Sequence, residues 1–283
     1  MNSWGTWGQE DERGALNRID AEATLRGVAT VRDGNALTLA IPISEKSVPF
    51  AGMRTPPLHM MVRDGGDYAA GKAETGGFGF SDDYLFVACH GTTHLDALSH
   101  VWQDGLMWNG FSANEVTSRG ARRCGIEKTG PIVTRGVFLD FANSGSDVFG
   151  IDELTVALNS VGITLRSGDA LLIRSGWLRR WREGHASTDT WPGLGAECAE
   201  WLDEQGVSLV GADNIAVEPF PSGVDEVQVP LHIALMRDRG VHFMELLDLE
   251  KLAESGRHEF LLVVSPLPIV GGVGSPVAPV AVL

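Results

Sequence analysis

A chain of 283 residues, 43% hydrophobic and 21% charged, is long enough to bury a full core and has the balance of an ordinary globular protein. Its formal net charge of −15 excludes the basic face that nucleic acid or an anionic bilayer demands, so neither is an expected partner. Cys89, Cys124 and Cys198 are odd in number and widely spaced, which fits a reducing cytoplasm better than a disulfide framework.

In chain order, the first residues have neither the basic start nor the apolar core of a signal peptide. No apolar run approaches the ~18 residues of a membrane span, and a soluble, cytoplasmic protein is expected. Trp4 and Trp7 lack core-like periodicity, and monomers seldom leave such rings in water. The arm is therefore expected to pack on a neighbouring subunit. Asp20 caps a helix running to Gly27, and residues 1–35 form an arm and helix ahead of a body spanning 36–283. Leu37 to Ile43 reads as a strand, residues 63–82 as a long Gly-rich charged loop, and Tyr84 to Cys89 as a second strand. Pro131 to Phe141 is a strand and Ile151 to Val161 a short helix. Ala170 to Arg174 is a buried strand, Gly195 to Gly206 an amphipathic helix and Val207 to Gly211 the next strand. Leu246 to Ser255 is a helix ended by Gly256, and Phe260 to Val264 a further strand. The fold class that follows is α/β, a single domain with a mixed sheet and short flanking helices.

The chemistry concentrates in one stretch, His90-Gly-Thr-Thr-His94-Leu-Asp96-Ala-Leu-Ser-His100. First-row divalent metals favour imidazole nitrogen and carboxylate oxygen, and few other needs gather so many in eleven residues. His90 and His94, four apart, point at one ion from a single helical turn or a tight bend after the strand, and Asp96 completes a three-ligand face. His100 sits beside the ion as a proton carrier. A lone histidine is usually structural, and His59, His185, His242 and His258, with no metal-like spacing, are read that way. Cys89 adjoins His90 but alternation turns it away, as a buried structural thiol. Gly271 to Gly274 precedes Ser-Pro rather than a helix, so it is not a phosphate loop. Trp102, two residues past His100, is placed on the pocket wall, where an aromatic face suits a cyclic or aromatic substrate.

This motif resembles the signature of the cyclase family of metal-dependent hydrolases, which includes kynurenine formamidase and isatin hydrolase. Gly168 to Trp177 resembles that family's core strand and Thr-Gly-Trp turn, with Ser175 in place of Thr. Gly240 to Leu249 resembles its segment carrying a Glu, with Leu246 where Asn is usual, and Gly271 to Pro276 resembles its C-terminal turn. The likeness runs from about Leu37 to the C-terminus. It implies a barrel-like swivelling β/α/β fold, usually a homodimer or homotetramer. It also implies that His232 and Glu245 complete a second metal position bridged by Asp96, giving one or two ions per chain, Zn²⁺ or Mn²⁺. From the residues alone, Glu245 equally suits the N-terminus of the Leu246–Ser255 helix.

Two catalytic readings follow: a hydrolase cleaving a C–N bond of an amide, formamide, lactam or related lactone, or a cyclase or dehydratase of the lyase kind. A metal-stabilised binding protein is a third, distinguished by a closed coordination shell.

Overall fold

The computed structural model describes residues 2–46, 49, 54–72, 74–224 and 227–283. Four parallel strands, Ile132–Asp140, Ala170–Arg174, Leu209–Ala212 and His242–Glu245, run side by side through the middle of a nine-stranded sheet. Antiparallel strands extend it on both flanks. Glu259–Val264, Val280–Val282 and Ala36–Thr38 lie beyond Ile132–Asp140, and His94–Asp96 and Gly274–Pro276 lie beyond His242–Glu245.

Parallel strands need cover on both faces and so read as near-continuous apolar runs. Val137, Leu139, Leu171, Ile173, Val210 and Phe243 alternate into one core; Phe138, Leu172, Leu209 and Met244 alternate into the other. All ten are at most 1% exposed. Truncating one large member, such as Phe138, costs about 3–5 kcal/mol through lost burial and the cavity left behind. The mixed, barrel-like α/β domain expected from the sequence is thus present as a curled, open sheet.

The helices are short. Ala21–Val28 starts where Asp20 accepts from the Ala23 amide at 2.8 Å, as the sequence indicates. Ile151–Ser160 and Cys198–Glu204 also match, the latter within narrower bounds. The helix read over Leu246–Ser255 is confined to Glu250–Glu254. Leu246 takes φ 56°, and the amides of Leu246, Leu247 and Asp248 donate sideways to Asn214, Ala212 and Leu39. A φ of 56° lies outside the right-handed helical region, so no helical turn starts at Leu246.

Two further readings are corrected. The strand read over Tyr84–Cys89 stops at Phe86 and belongs to Asp82–Phe86, which pairs with Leu58–Arg63 in a separate antiparallel hairpin, and the loop read over 63–82 is its connection, carrying a short helix Gly65–Ala69. Cys89, just past it, is half-buried. The tryptophan arm does not leave its rings in water: Trp4 and Trp7 pack on the chain's own core. Trp4 Nε1 donates to the Arg237 carbonyl at 3.0 Å, with the Arg237 guanidinium 4.6 Å over its ring, and Trp7 lies 6.0 Å from Trp108. No helix among the described residues is long and apolar enough to cross a membrane.

Candidate metal centre

His94 and Asp96 sit on a three-residue strand paired on both sides, to Met244–Glu245 and to Gly274–Pro276. Successive strand residues point to opposite faces, so His94 and Asp96 share one face while Leu95 enters the core. The bend expected to orient His90 and His94 together therefore takes another form. His90 lies in a turn closed by the Gly91 amide on the Ala88 carbonyl, and His94 opens the strand that follows. Thr93 fixes the link: its hydroxyl donates to the Leu246 carbonyl at 2.5 Å and accepts from the Ile41 amide at 2.9 Å. Gly274, opposite Asp96 in the register, leaves room for the His90 ring; a Cβ there would stand 2.5 Å from His90 Nε2.

Glu245 ends the His242–Glu245 strand, directly across from His94. It is therefore no helix cap; it is 2% exposed and faces the imidazoles. His94 Nε2 lies 3.2 Å from Glu245 Oε2 and 3.4 Å from Asp96 Oδ1, and His90 Nε2 lies 3.1 Å from Asp96 Oδ1. His232, at the start of the wide-turned helical segment His232–Arg237, brings Nε2 to 3.4 Å from Glu245 Oε1 and 3.9 Å from Asp96 Oδ2. Two overlapping sets of potential ligands result, His90–Asp96–His100 and His94–Asp96–Glu245, with Asp96 common to both.

His90 Nε2, His94 Nε2, both Asp96 oxygens and Glu245 Oε1 are buried without a hydrogen-bond partner. Such groups cost several kcal/mol when left unpaired, and two ionised carboxylates cost more. Ligand atoms sharing one ion at about 2.0–2.2 Å stand about 3.0–3.6 Å apart in tetrahedral or octahedral geometry. The spacings of 3.1 to 3.4 Å fall in that window. The donors fit a divalent cation in number, chemistry and spacing.

The outward nitrogens are prepared for the task. His94 Nδ1 donates to the Thr92 carbonyl at 2.8 Å, and His232 Nδ1 donates to Glu218 at 2.5 Å, which leaves each Nε2 lone pair facing the carboxylates. Glu218 carries no motif and the sequence reading missed it. It follows Val217, held at φ 61° by the Asn214 side chain, which accepts from the Val217 amide at 2.7 Å. A β-branched residue at positive φ costs about 1–3 kcal/mol, so the surroundings enforce this turn. The turn aims Glu218 inward, where it also accepts from the Leu231 and His232 amides at 2.8 and 2.9 Å.

Without a cation, protons do its work. Burial alone would push both imidazoles down, but Asp96 and Glu245 lift His94 to about 9, and Glu218 and Glu245 lift His232 to about 10. Burial opposes ionisation of Asp96, yet the surrounding imidazoles hold its carboxyl well below the usual range. His100 differs. Its ring stacks on His90 at 4.1 Å and lies 6.3 Å from His232, and burial takes it down to about 4 against the pull of Asp96, so it is neutral near pH 7.

Trp102 is 49% exposed. Of the four histidines set aside, His59 pairs with Asp83, His185 is exposed, and His258 donates to the Phe138 carbonyl. His242 is fully buried with neither ring nitrogen partnered, and burial pushes it down to about 3.

A family model described as "Putative cyclase" matches residues 37–219. Kynurenine formamidase of Geobacillus thermodenitrificans is 29% identical over 206 residues, covering 73% of this chain and 81% of that protein. A solved structure described as a novel cyclase superposes with a TM-score of 0.92 at 35% identity over 100% of both chains. Isatin hydrolase A of Ralstonia solanacearum shares the fold, with a TM-score of 0.67 at 21% identity over 92% of this chain and 95% of its own.

Proposed function

The chain belongs to the cyclase family, and on that premise we propose that it is a metal-dependent hydrolase that opens the C–N bond of an amide, formamide or lactam, or a related lactone. The observation that carries this reading is the cluster of unpartnered buried nitrogens and oxygens on His90, His94, Asp96 and Glu245. His232 completes it from the far side. A divalent ion bound there, Zn²⁺ or Mn²⁺ at one or two per chain, supplies a water of lowered pKa and polarises the substrate carbonyl.

The remaining roles belong to side chains. Asp96 and Glu245, fixed across a strand pair, hold their charges in place before substrate arrives. His100 is the proton carrier: being neutral, its ring accepts a proton from the attacking water and returns it to the departing nitrogen. Trp102 offers an aromatic face to a flat substrate. The relatives' names support the choice of bond, since one is named for a formamide and the other for the hydrolysis of isatin. In this reading the chain works in the cytoplasm as a homodimer or homotetramer.

The test is incubation of Zn- and Mn-loaded protein with N-formylkynurenine, isatin and simple lactones in ¹⁸O-water. Hydrolysis places one ¹⁸O in the product acid. Turnover without label assigns the chain to the competing cyclase or dehydratase class, and no turnover on any of the three overturns the substrate class.

A further inference from the structure

One groove on this chain of formal charge −15 is walled by arginine. Arg26 and Arg32 come from the last turn of helix Ala21–Val28 and the residues after it, and Arg135 from the strand Ile132–Asp140. Arg166 comes from the loop before Ala170–Arg174, and Arg257 from the turn before Glu259–Val264. The groove encloses about 350 Å³, within the ~300–1,000 Å³ of small-molecule sites. It lies three strands across the sheet from His242–Glu245, on the order of 14 Å at ~4.8 Å per strand, so it takes no part in the candidate metal centre. Three of its guanidiniums are held by carboxylates. Arg135 pairs with Asp169 and, at 2.7 Å, with Glu259; Arg257 lies 3.0 Å from Asp33; Arg26 stands 3.6 Å from both Glu22 and Asp169. Arg32 and Arg166 have no carboxylate partner among the described residues. The Arg32 side chain donates only to the Ala29 carbonyl, at 3.0 Å, and Arg166 bonds only through its backbone amide. A guanidinium carries five N–H donors, so most of the capacity of these two is unused. Arg26 Nε is also buried without a hydrogen-bond partner, a position that costs free energy until a partner arrives.

We propose that this groove binds a phosphate dianion, either free or as the end group of a small organic phosphate. The sign of the charge selects an anion: the chain as a whole repels one, and the local excess of guanidinium draws it to this groove alone. The geometry of the forks selects phosphate over carboxylate. A carboxylate offers two oxygens, enough for one guanidinium fork. A phosphate end group offers three, and can bridge two forks that reach the groove from different elements, as Arg32 and Arg166 do. The remaining arginines fix the walls. Arg135 donates to the Thr164 carbonyl at 2.9 Å, and Arg26 to the Ser167 carbonyl, so the loop bearing Arg166 is tied to the strand and to the helix. Walls fixed beforehand lower the ordering cost of binding. Half-buried Val161 and Ile163 give an organic group an apolar surface beside the arginines. None of these residues enters the hydrolase reading, so the two stand or fall separately.

The experiment is calorimetric titration of the metal-loaded full chain with ribose 5-phosphate, inorganic phosphate and benzoate, repeated on Arg32→Ala/Arg166→Ala. Both arginines are exposed and hold no carboxylate, so the substituted chain should keep its melting temperature and its metal content. Phosphate should bind at one per chain, at least ~tenfold tighter than benzoate and at least ~tenfold weaker to the substituted chain, the cost of losing charge-assisted hydrogen bonds. Added salt should weaken it further. Equal affinity for the two phosphates would make the end group alone the ligand, and tighter ribose 5-phosphate would add the Val161–Ile163 wall; both uphold the site. If the substituted chain melts early, amide exchange of the unaltered chain decides: saturating phosphate should slow residues 26–32 and 161–168. Slowing confined to residues 90–100 would place the anion on the metal and overturn the proposal. So would the absence of phosphate binding, binding that survives the double substitution, or benzoate bound as tightly as phosphate.

Discussion

The two halves of the candidate metal centre are built by different means. His94, Asp96 and Glu245 come from adjacent strands, and their spacing follows from backbone register: Glu245 is paired to His94, and Asp96 lies two residues along the same face. His90, His100 and His232 come from turns and a helical start, and each depends on side-chain props. Gly274 makes space for His90, His90 stacks with His100, and Glu218 holds His232. A ligand on a doubly paired strand has little freedom to adapt, whereas a propped ligand shifts with its prop. The strand half should therefore fail completely when altered, and the propped half by degrees.

The largest effect separates the halves at once. Asp96→Asn removes the carboxylate shared by both ligand sets, and His94→Ala removes the imidazole that faces both Asp96 and Glu245. Each should reduce metal content to near zero by elemental analysis and lower kcat/KM by at least ~10³, the several kcal/mol a bound ion supplies. Stoichiometric metal in either protein would show that the strand half is not the anchor.

Next comes His100→Ala. A neutral imidazole that moves a proton without holding the ion should cost about 10²–10⁴ in kcat while metal content stays near normal. The geometry makes this a sharp test, because His100 also lies within reach of Asp96 and His90 as a third ligand. Loss of metal would transfer His100 to the ligand set; near-normal kcat would remove it from the chemistry.

Glu218→Gln probes the propped half more gently. The amide oxygen still accepts from His232 Nδ1, but the charge that strengthens that bond is gone, and its NH₂ group faces backbone donors. Metal affinity by calorimetric titration should fall about 10–100-fold, the usual cost of losing a ligand's supporting group. Unchanged affinity would show that His232 needs no prop.

The same division explains what the sequence revealed. The His90-to-His100 cluster was legible because its side chains are close in the chain, and the parallel core was legible because its strands are apolar throughout. The strand bearing His94 and Asp96 was not, because two of its three residues are polar and nothing marks it as sheet. The apolar run before it, Tyr84 to Cys89, drew the strand assignment, and its first residues do form one, but in the outlying hairpin. Glu245 was drawn toward a helix because the apolar pattern of Leu246 to Ser255 does contain one; the left-handed backbone of Leu246 holds its start back to Glu250. Glu218 was invisible. Its position depends on Asn214 clamping Val217 and on a helical start 13 residues away, and neither leaves a local pattern.

The smallest effect is one of pH on the metal-free protein, and it sharpens the comparison because a proton stands in for the ion in each half. His94 and His232 have folded-state values raised to about 9 and about 10, above the ~6.5 of an unfolded histidine. Their contribution to stability is complete below pH ~6.5 and is lost as pH rises through those higher values. His100 and His242 are shifted the other way, to about 4 and about 3, so their contribution is complete above pH ~6.5 and is lost as pH falls toward those values. Chelator-treated protein should therefore melt highest near pH 6.5 and decline on both sides. A divalent ion needs unprotonated Nε2 atoms and replaces those protons, so the metal-loaded protein should lack the alkaline decline. The gain in melting temperature on adding Zn²⁺ or Mn²⁺ should then grow between pH 6.5 and pH 9, as read by calorimetry in matched buffers. A gain that stays constant or shrinks over that range would mean that His94 and His232 do not exchange protons for the ion, and that the two halves do not meet at one metal centre.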